Sequence, residues 1–463
     1  MRYSDEEVSW YNHITNLHGH KEIFYTEDLI LVPLFLFFIF LYLYRKRNKQ
    51  PVELRKYYIP GYLVKILGLI VFITYHKLLY SGGVDSFSYY WAGNQIYNLF
   101  KIDPISAIQL IFAPLGTFDS QDFNLDFSPF IFASNEAMTC KISGLANMLT
   151  LGSYTGVSLL LSLFCFSGCW KIYLMFYRLF PEQKKGLAIA CLFIPSIFFW
   201  SSALSKEIIC IGALGYLFNS FLEIFVFKQS VTKNIIIILF MSYLIYNVKL
   251  YILIAFIPAV LTLVTMITIV RIENKFLKLI SMPVLFLMLV GGLVIAYISA
   301  GDALANFSVD LVLESAKVNY EYLSQEGFAE SRYDIGEFEP TVAGAMKLAP
   351  AAVNVSLFRP YVWEINKPII LVASIESTLF LLLTLFVFLR RGIISSFKTI
   401  FSNPVIVFCL IFAIVFSLAV GLTSGNFGTL MRYKIPMMPF YCVALLLIYN
   451  KSSFKISSTI QEL

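Results

Sequence analysis

A carboxylate, that of Asp85, lies where an apolar run long enough to cross a membrane gives way to a long polar segment. It ends the stretch Ser81-Gly-Gly-Val-Asp85, and Tyr89 follows shortly after it. A carboxylate at the mouth of a membrane helix can act as a general base and still reach water. Asp is also a preferred N-cap, so a helix predicted over Phe87–Leu99 would give Asp85 a structural role that is compatible with the chemical one.

Lys206 and Glu207 end the stretch Pro195–Glu207, which contains a very short polar turn between two predicted membrane helices. Both charges are predicted at or just below the membrane surface. Ionisable groups there are costly to bury, so they usually face a cavity or one another. One interpretation is a Lys206–Glu207 pair that satisfies itself at the membrane interface. The other is that the two charges face a substrate.

Two further charged stretches lie near the ends of predicted membrane helices. Arg359 and Glu364 flank a segment rich in aromatic residues that returns to the membrane, and they could form a cluster that binds a sugar or a phosphate. Arg432 and Lys434 follow a glycine-containing turn and precede Pro436. They are predicted on the outer side, against the usual cytoplasmic bias of basic residues, and an anionic lipid-linked phosphate is a natural ligand. The alternative is that both cations simply extend to the membrane interface.

Composition indicates a polytopic membrane protein. Of the 463 residues, 58% are hydrophobic and 14% are charged, whereas soluble domains carry roughly 25% charged residues. The net charge of +6 is spread over many short loops and does not indicate nucleic-acid binding. Apolar runs of sufficient length predict an all-α fold with about eleven transmembrane helices. The predicted spans are Leu29–Tyr44, Leu63–Tyr80, Thr155–Tyr177, Gly186–Trp200, Ile208–Phe227, Asn234–Val248, Leu250–Val270, Leu279–Ser299, Pro368–Leu389, Pro404–Leu422 and Pro436–Tyr449.

The distribution of Lys and Arg predicts how these spans are oriented. The cluster Arg45–Lys49 follows the first span, and Arg390 and Arg391 follow a later one. Both clusters fall in the cytoplasm when the N-terminus lies outside and the C-terminus lies inside. We therefore expect a multi-pass protein of the cell inner membrane, in contact with membrane lipids.

The predicted organisation has three parts. Residues 1–61 form an outside tail, the first membrane helix and a basic cytoplasmic loop. Residues 62–449 form the membrane domain, and residues 450–463 form a cytoplasmic tail.

Two predicted outside loops, residues 81–152 and 301–367, are longer than ordinary connections, and loops of this length are usually functional or disordered. We expect both to carry short helices. An amphipathic helix is predicted over Pro104–Leu115 in the first loop, and the second loop has a helix predicted over Val309–Leu323 and an apolar run over Val342–Val355.

Several reaction classes lack their sequence motifs. The chain contains no P-loop, HExxH, CxxC or GxSxG motif, so ATP-driven transport, zinc hydrolysis and serine hydrolysis are not supported. A carboxylate base, several cations and an aromatic-rich loop on one membrane face suit group transfer from a phosphate-linked lipid. The base would deprotonate an acceptor hydroxyl, and the cations would stabilise the leaving phosphate.

At these residues the chain resembles the C-type (GT-C) integral-membrane glycosyltransferases. The segment Gly83-Val-Asp85-Ser-Phe-Ser-Tyr-Tyr90 is similar to the family's catalytic segment, in which an Asp or Glu lies in the first long outside loop. The turn Pro195–Glu207 and the motif Arg432-Tyr-Lys-Ile-Pro436-Met-Met-Pro439 resemble elements of bacterial members. The resemblance implies that Asp85 is the catalytic base.

The resemblance further implies an inverting glycosyltransferase of cell-envelope polysaccharide biosynthesis. It would move a sugar from a polyprenyl-phosphate-linked donor to a lipid or polysaccharide acceptor on the outer face of the cytoplasmic membrane. Arg432 and Lys434, with Lys206, would hold the lipid phosphate, while Arg359 and Glu364 would shape the sugar pocket. The predicted substrate-binding residues are Tyr89, Lys206, Glu207, Arg359, Glu364, Arg432 and Lys434.

Departures from the family leave two alternatives open. Many members carry two adjacent acids where this chain has Asp85-Ser86, so a divalent metal is not supported and we expect no cofactor. The segment from Arg359 to Glu364 looks closer to O-antigen-type polymerases, which join lipid-linked repeats. A lipid or polysaccharide transporter or flippase is the other alternative, although the sequence has few mid-span charges and no visible repeat.

Overall fold

The computed structural model is predominantly helical in the part of the chain that it describes. The described residues are 23, 25–78, 84–114, 117–118, 128–133, 136–270, 309–324, 331–364 and 368–454. Within these ranges the only β-structure is an isolated bridge between Arg332 and Asn426. The α-helices are α1 Asp28–Asn48, α2 Arg55–Leu78, α3 Asp85–Ile102, α4 Pro104–Phe112, α5 Ala137–Leu149, α6 Tyr154–Leu179, α7 Lys184–Leu192, α8 Pro195–Trp200, α9 Lys206–Phe225, α10 Val231–Val270, α11 Val309–Leu323, α12 Val342–Phe358, α13 Pro368–Arg391, α14 Ile393–Ser402, α15 Pro404–Thr423, α16 Phe427–Tyr433 and α17 Met438–Tyr449.

Seven of the described helices are long and apolar enough to cross a membrane. They are α1, α2 with the 3₁₀ turn before it, α6, α9, α10, α13 and α15. Large apolar side chains also cover their outer surfaces, as Leu29, Phe37 and Phe38 do on α1. Continuous apolar surface of this kind is expected where helices contact lipid instead of water. The prediction of an all-α, polytopic membrane protein is therefore confirmed.

The seven helices account for eight predicted spans, because six of them match one span each and α10 matches two. The 40 residues of α10 would measure about 60 Å as one straight helix, twice the hydrocarbon thickness of a membrane. Its backbone is not helical at Lys249, where φ is −152° and ψ is 82°. That break falls where the predicted spans Asn234–Val248 and Leu250–Val270 meet.

The other three predicted spans have different outcomes. Gly186–Trp200 corresponds to α7 and α8, which are separate helices because Pro195 cannot continue a helix and holds Ile194 in an extended conformation. Pro436–Tyr449 corresponds to α17, which is bent by 68° from α16; the pair gives an eighth crossing if it counts as one span. Leu279–Ser299 lies outside the described residues. The number eleven stays a prediction.

The chain divides into two compact units. Within the described residues, the first unit comprises the chain up to Leu174 together with Leu192–Asn219 and Ile235–Leu250. The second comprises Met175–Cys191, Ser220–Asn234 and the chain from Tyr251 onward. Each unit holds its own group of charged side chains, and each group is described within its unit.

The described part of the first long loop consists of α3, α4 and α5. Helices α3 and α5 pack closely because Gly93 has no side chain: a Cβ at that position would lie 2.2 Å from Oγ of Ser143. The predicted amphipathic helix over Pro104–Leu115 is present as α4, which ends three residues earlier than expected. In the second loop, α11 has the predicted bounds and α12 extends the predicted apolar run to Phe358.

Helices α6 and α9 of the first unit meet through glycines. A Cβ on Gly168 would lie 2.3 Å from the carbonyl oxygen of Gly212, and a Cβ on Gly215 would lie 2.1 Å from the carbonyl oxygen of Gly168. Small residues at such contacts let the backbones of membrane helices approach closely. This contact fixes α9, the helix whose first two residues are Lys206 and Glu207.

We predict that Gly215→Ala destabilises the protein. The added methyl group would overlap the backbone of Gly168, so α6 and α9 must separate, at a cost of about 1–3 kcal/mol of unfolding free energy. Unfolding in lipid bicelles would measure this loss. Gly428→Ala is the matched control, because its Cβ would come no nearer than 3.4 Å to another atom. Equal stability of the two variants would contradict the close glycine contact.

Candidate functional site

Asp85 is the first residue of α3, and the N-cap is Val84, with φ −125° and ψ 122°. The predicted helix over Phe87–Leu99 therefore begins two residues earlier, and the interpretation of Asp85 as the N-cap is wrong. Asp85 instead lies half-buried in the first turn of the helix.

One helical turn beyond Asp85, Tyr89 lies on the same face of α3. Its hydroxyl donates a hydrogen bond of 2.5 Å to Oε2 of Glu136, and Nζ of Lys206 lies 2.8 Å from Oε1 of the same carboxylate. The lysine nitrogen is 6.0 Å from the centre of the Tyr89 ring. We call Tyr89, Glu136 and Lys206 the Tyr89 cluster.

The Tyr89 cluster holds a cation at the edge of the protein interior. Tyr89 is buried, whereas the side chains of Lys206 and Glu136 are 14% and 19% exposed. Both oxygens of Glu136 accept a hydrogen bond, so this carboxylate orients Tyr89 and Lys206. The arrangement brings together two of the predicted site residues, Tyr89 and Lys206.

Lys206 and Glu207 do not pair with each other, so the interpretation of a self-satisfied pair is wrong. Consecutive residues of a helix point in different directions, and Oε1 of Glu207 lies 2.7 Å from Nζ of Lys249. These two side chains are 1% and 6% exposed. Glu207 therefore ties the start of α9 to the break in α10 from within the protein interior.

Lys65 supports the turn that leads to Lys206. Its Nζ donates to the carbonyl oxygens of Ile197 and Ser201, each at 3.3 Å, and to the hydroxyl of Ser201. The side chain is buried, and it satisfies carbonyl groups at the C-terminal end of α8. We did not predict this residue from the sequence. Its signal was a lysine inside an apolar run, since ionisable groups within membrane spans usually have a specific role.

In the second unit, Arg359 and Glu364 form a bidentate pair. Nε of Arg359 lies 2.9 Å and 3.1 Å from the two carboxylate oxygens of Glu364, and Nη2 also donates to Oε1. The guanidinium carbon is 5.5 Å from the ring centre of Tyr333 and 5.3 Å from that of Phe427. We call these four residues the Arg359 cluster. Fork-shaped pairing and stacking on aromatic rings both fix the orientation of an arginine.

Lys434 contacts the backbone of Arg359. Its Nζ donates to Oγ of Ser377 at 2.7 Å and to the carbonyl oxygen of Arg359 at 3.2 Å. Because Lys434 is only 2% exposed, it does not extend to the membrane interface as one interpretation held. Arg432 is half-buried in α16. The predicted role of these two cations in binding a phosphate stays a prediction.

The structure adds partners that the sequence did not reveal. Glu136 and Ser377 belong to no recognisable sequence motif. Their roles depend on contacts with residues 70 and 57 positions away along the chain. Among the described residues, no group of three His, Cys, Asp or Glu side chains is arranged to hold a metal ion. The expectation that no cofactor is needed stays a prediction.

We predict that Glu136 and Lys206 are energetically coupled. Glu136→Gln and Lys206→Met should each lower the unfolding free energy, since each leaves the partner's charge partly buried without its counter-ion. The double variant should lose less than the sum of the two, with a coupling energy of about 1 kcal/mol. Glu321→Gln and Lys317→Met, which remove an exposed pair within α11, form the matched control cycle. Strictly additive losses in the first cycle would contradict the Tyr89 cluster.

Comparison with known proteins adds no relative to this geometry. No family model, no curated protein and no solved structure matches the chain. The likeness to the C-type glycosyltransferases rests on the short motifs quoted above and stays a prediction. The chain itself is a multi-pass, all-α membrane protein with a charged cluster in each of its two units.

Proposed function

We propose that the protein is an integral-membrane glycosyltransferase of the C type, which transfers a sugar from a polyprenyl-phosphate-linked donor to a lipid or polysaccharide acceptor. The observation that supports this proposal is the Tyr89 cluster. It holds the ammonium group of Lys206 6.0 Å from the ring centre of Tyr89, a residue one helical turn from Asp85 on α3. A general base and a fixed cation are the two elements that this transfer requires.

Asp85 takes the proton of an acceptor hydroxyl while that oxygen attacks the anomeric carbon of the donor sugar. The bond between the anomeric carbon and the phosphate oxygen breaks, and polyprenyl phosphate leaves with the electron pair. Attack from the opposite face inverts the configuration of the anomeric carbon. Lys206 stabilises the negative charge that develops on the phosphate, and Glu136 and Tyr89 keep the ammonium group in position.

The proposal includes the finer topology. The chain crosses the cell inner membrane about eleven times, a number that follows from the hydrocarbon thickness. Its N-terminus lies outside and its C-terminus lies in the cytoplasm, in keeping with the distribution of Lys and Arg. This orientation puts Asp85 on the outer face, where lipid-linked sugars are used to build envelope polysaccharides.

We predict that Asp85→Asn lowers sugar transfer about a hundredfold or more, which is the usual scale for loss of a general base. The substitution keeps the size of the side chain and removes its basicity. Transfer would be measured in membranes from a polyprenyl-phosphate-sugar pool, at equal expression of both proteins.

The matched control is Asp103→Asn. Asp103 is an exposed carboxylate of the same loop, and it accepts hydrogen bonds from Ile105 and Ser106 as the N-cap of α4. The Ser106 hydroxyl lowers the pKa of Asp103, and asparagine retains an oxygen for the cap. Transfer by this variant should equal that of the wild type. Full activity of Asp85→Asn would remove Asp85 from the reaction, and absence of transfer in the wild type would favour a transporter.

The Arg359 cluster favours a polysaccharide polymerase as the second candidate function. Polymerases of the O-antigen type are expected to depend on arginines in their outside loops, and Arg359 is held by Glu364 and by two aromatic rings. Arg359→Lys keeps the charge and removes the bidentate fork. If the protein is a polymerase, this variant should lose chain elongation while Asp85→Asn retains it. Arg332→Lys, an exposed arginine nearby in sequence, is the matched control.

A further inference from the structure

Helix α14 connects two membrane spans and is too short to cross a membrane itself. It begins after Gly392, whose φ of 79° turns the chain away from α13, and Asn403 then caps α15. Ten residues make a helix of about 15 Å, half the hydrocarbon thickness. Since the spans on both sides begin or end here, α14 lies at the membrane surface.

The apolar side of α14 is not covered by the described part of the protein. Ile393, Ile394, Phe397 and Phe401 are between 49% and 75% exposed. At 3.6 residues per turn they fall within an arc of about 100°, next to the face that buries Ile400 against the protein. A continuous arc of this kind on a surface helix is typical of insertion into the boundary between headgroups and acyl chains.

Cations border this apolar arc. Arg390 is exposed at the end of α13, and Lys398 is exposed at the edge of the arc on α14. The guanidinium carbon of Arg391 lies 4.8 Å from the ring centre of Tyr449, at the end of α17. Within this segment, from Arg390 to Ser402, the sequence contains no acidic residue. The surface around α14 is therefore apolar at its centre and positive at its rim.

Other basic segments of the second unit reach the same end. The side chain of Asn403 donates to the carbonyl oxygen of Ser452 at 2.8 Å, and that of Asn450 donates to Oε1 of Gln183 at 2.8 Å. Gln183 directly precedes two lysines, and a further lysine separates Asn450 from Ser452. The positive charge at α14 is thus part of a larger basic end of this unit.

We propose that α14 is an interfacial helix that selects anionic lipids: its apolar arc enters the acyl boundary, and Arg390, Arg391 and Lys398 bind the phosphates of the headgroups. Neutral lipids satisfy the apolar arc alone, whereas an anionic headgroup satisfies both the arc and its rim. Each cation near an anionic surface enriches such lipids about five-fold, the factor equivalent to about 1 kcal/mol. This proposal does not rest on the proposed glycosyltransferase activity.

The test places a fluorescent probe on the arc. The full-length Phe397→Trp protein would be reconstituted in phosphatidylcholine vesicles that contain brominated phosphatidylglycerol or, at equal mole fraction, brominated phosphatidylcholine. Its fluorescence, after subtraction of the wild-type signal, should be quenched severalfold more strongly by the anionic lipid. High salt should remove this preference, because it screens exposed charges.

Two further proteins make the result specific. Arg390→Gln combined with Lys398→Gln should reduce the preference severalfold, with Arg391 still in place, while quenching by brominated phosphatidylcholine persists, which also shows that α14 is still folded in the membrane. Phe240→Trp on α10 is the matched control, because Phe240 is exposed beside Ile236 and Leu239 and has no basic residue within four positions along the chain. Its quenching should be equal in both lipids. Equal quenching of Phe397→Trp by both lipids would overturn the proposal, as would the absence of quenching, which would show that the arc does not contact the acyl chains.

Discussion

Charged groups buried in a membrane protein need a counter-ion or several hydrogen-bond partners, and two ion pairs organise the first unit. Removing an ion from water costs several kcal/mol even after relaxation, so an unpaired Lys206 or Glu207 would be strongly unfavourable. Each finds a different partner: Lys206 pairs with Glu136 at the start of α5, and Glu207 pairs with Lys249 at the break in α10. The first turn of α9 therefore contacts both the start of α5 and the break in α10.

Contacts with neighbouring helices hold that turn in position. Lys65 holds the end of α8, from which the chain enters the turn, and Gly168 and Gly215 let α6 approach α9. Both contacts lie within the protein interior, where packing is dense and small displacements are costly. Helix α3 is connected to the same turn through Tyr89 and Glu136. The helix that carries Asp85 at its start is thus joined to this packed region through side-chain contacts.

The second unit combines an ion pair with a lysine that donates to neutral oxygen atoms, as Lys65 does in the first unit. Arg359 is satisfied by Glu364 within its own segment, while Lys434 is satisfied by neutral oxygen atoms of Arg359 and Ser377. The ammonium group of Lys434, on which the carboxylate of Glu376 also acts electrostatically, fixes the backbone of Arg359 and leaves the guanidinium to Glu364 and the aromatic rings. These contacts fix the orientation of the Arg359 guanidinium. Its cations keep their predicted roles as hypotheses.

The sequence by itself determined the class of protein and most helices, because hydrophobicity and the thickness of a membrane are properties of single segments. It therefore predicted α1, α11 and α15 closely and located the break at Lys249 between two spans. The sequence showed Pro195 inside a predicted span, but only the structure showed that this span divides into α7 and α8. Only tertiary structure decided that Lys206 and Glu207 turn away from each other, since the partners Glu136 and Lys249 lie 70 and 42 positions away along the chain. Pairing between charges that are distant in the sequence depends on how helices pack, so a local sequence pattern does not predict it.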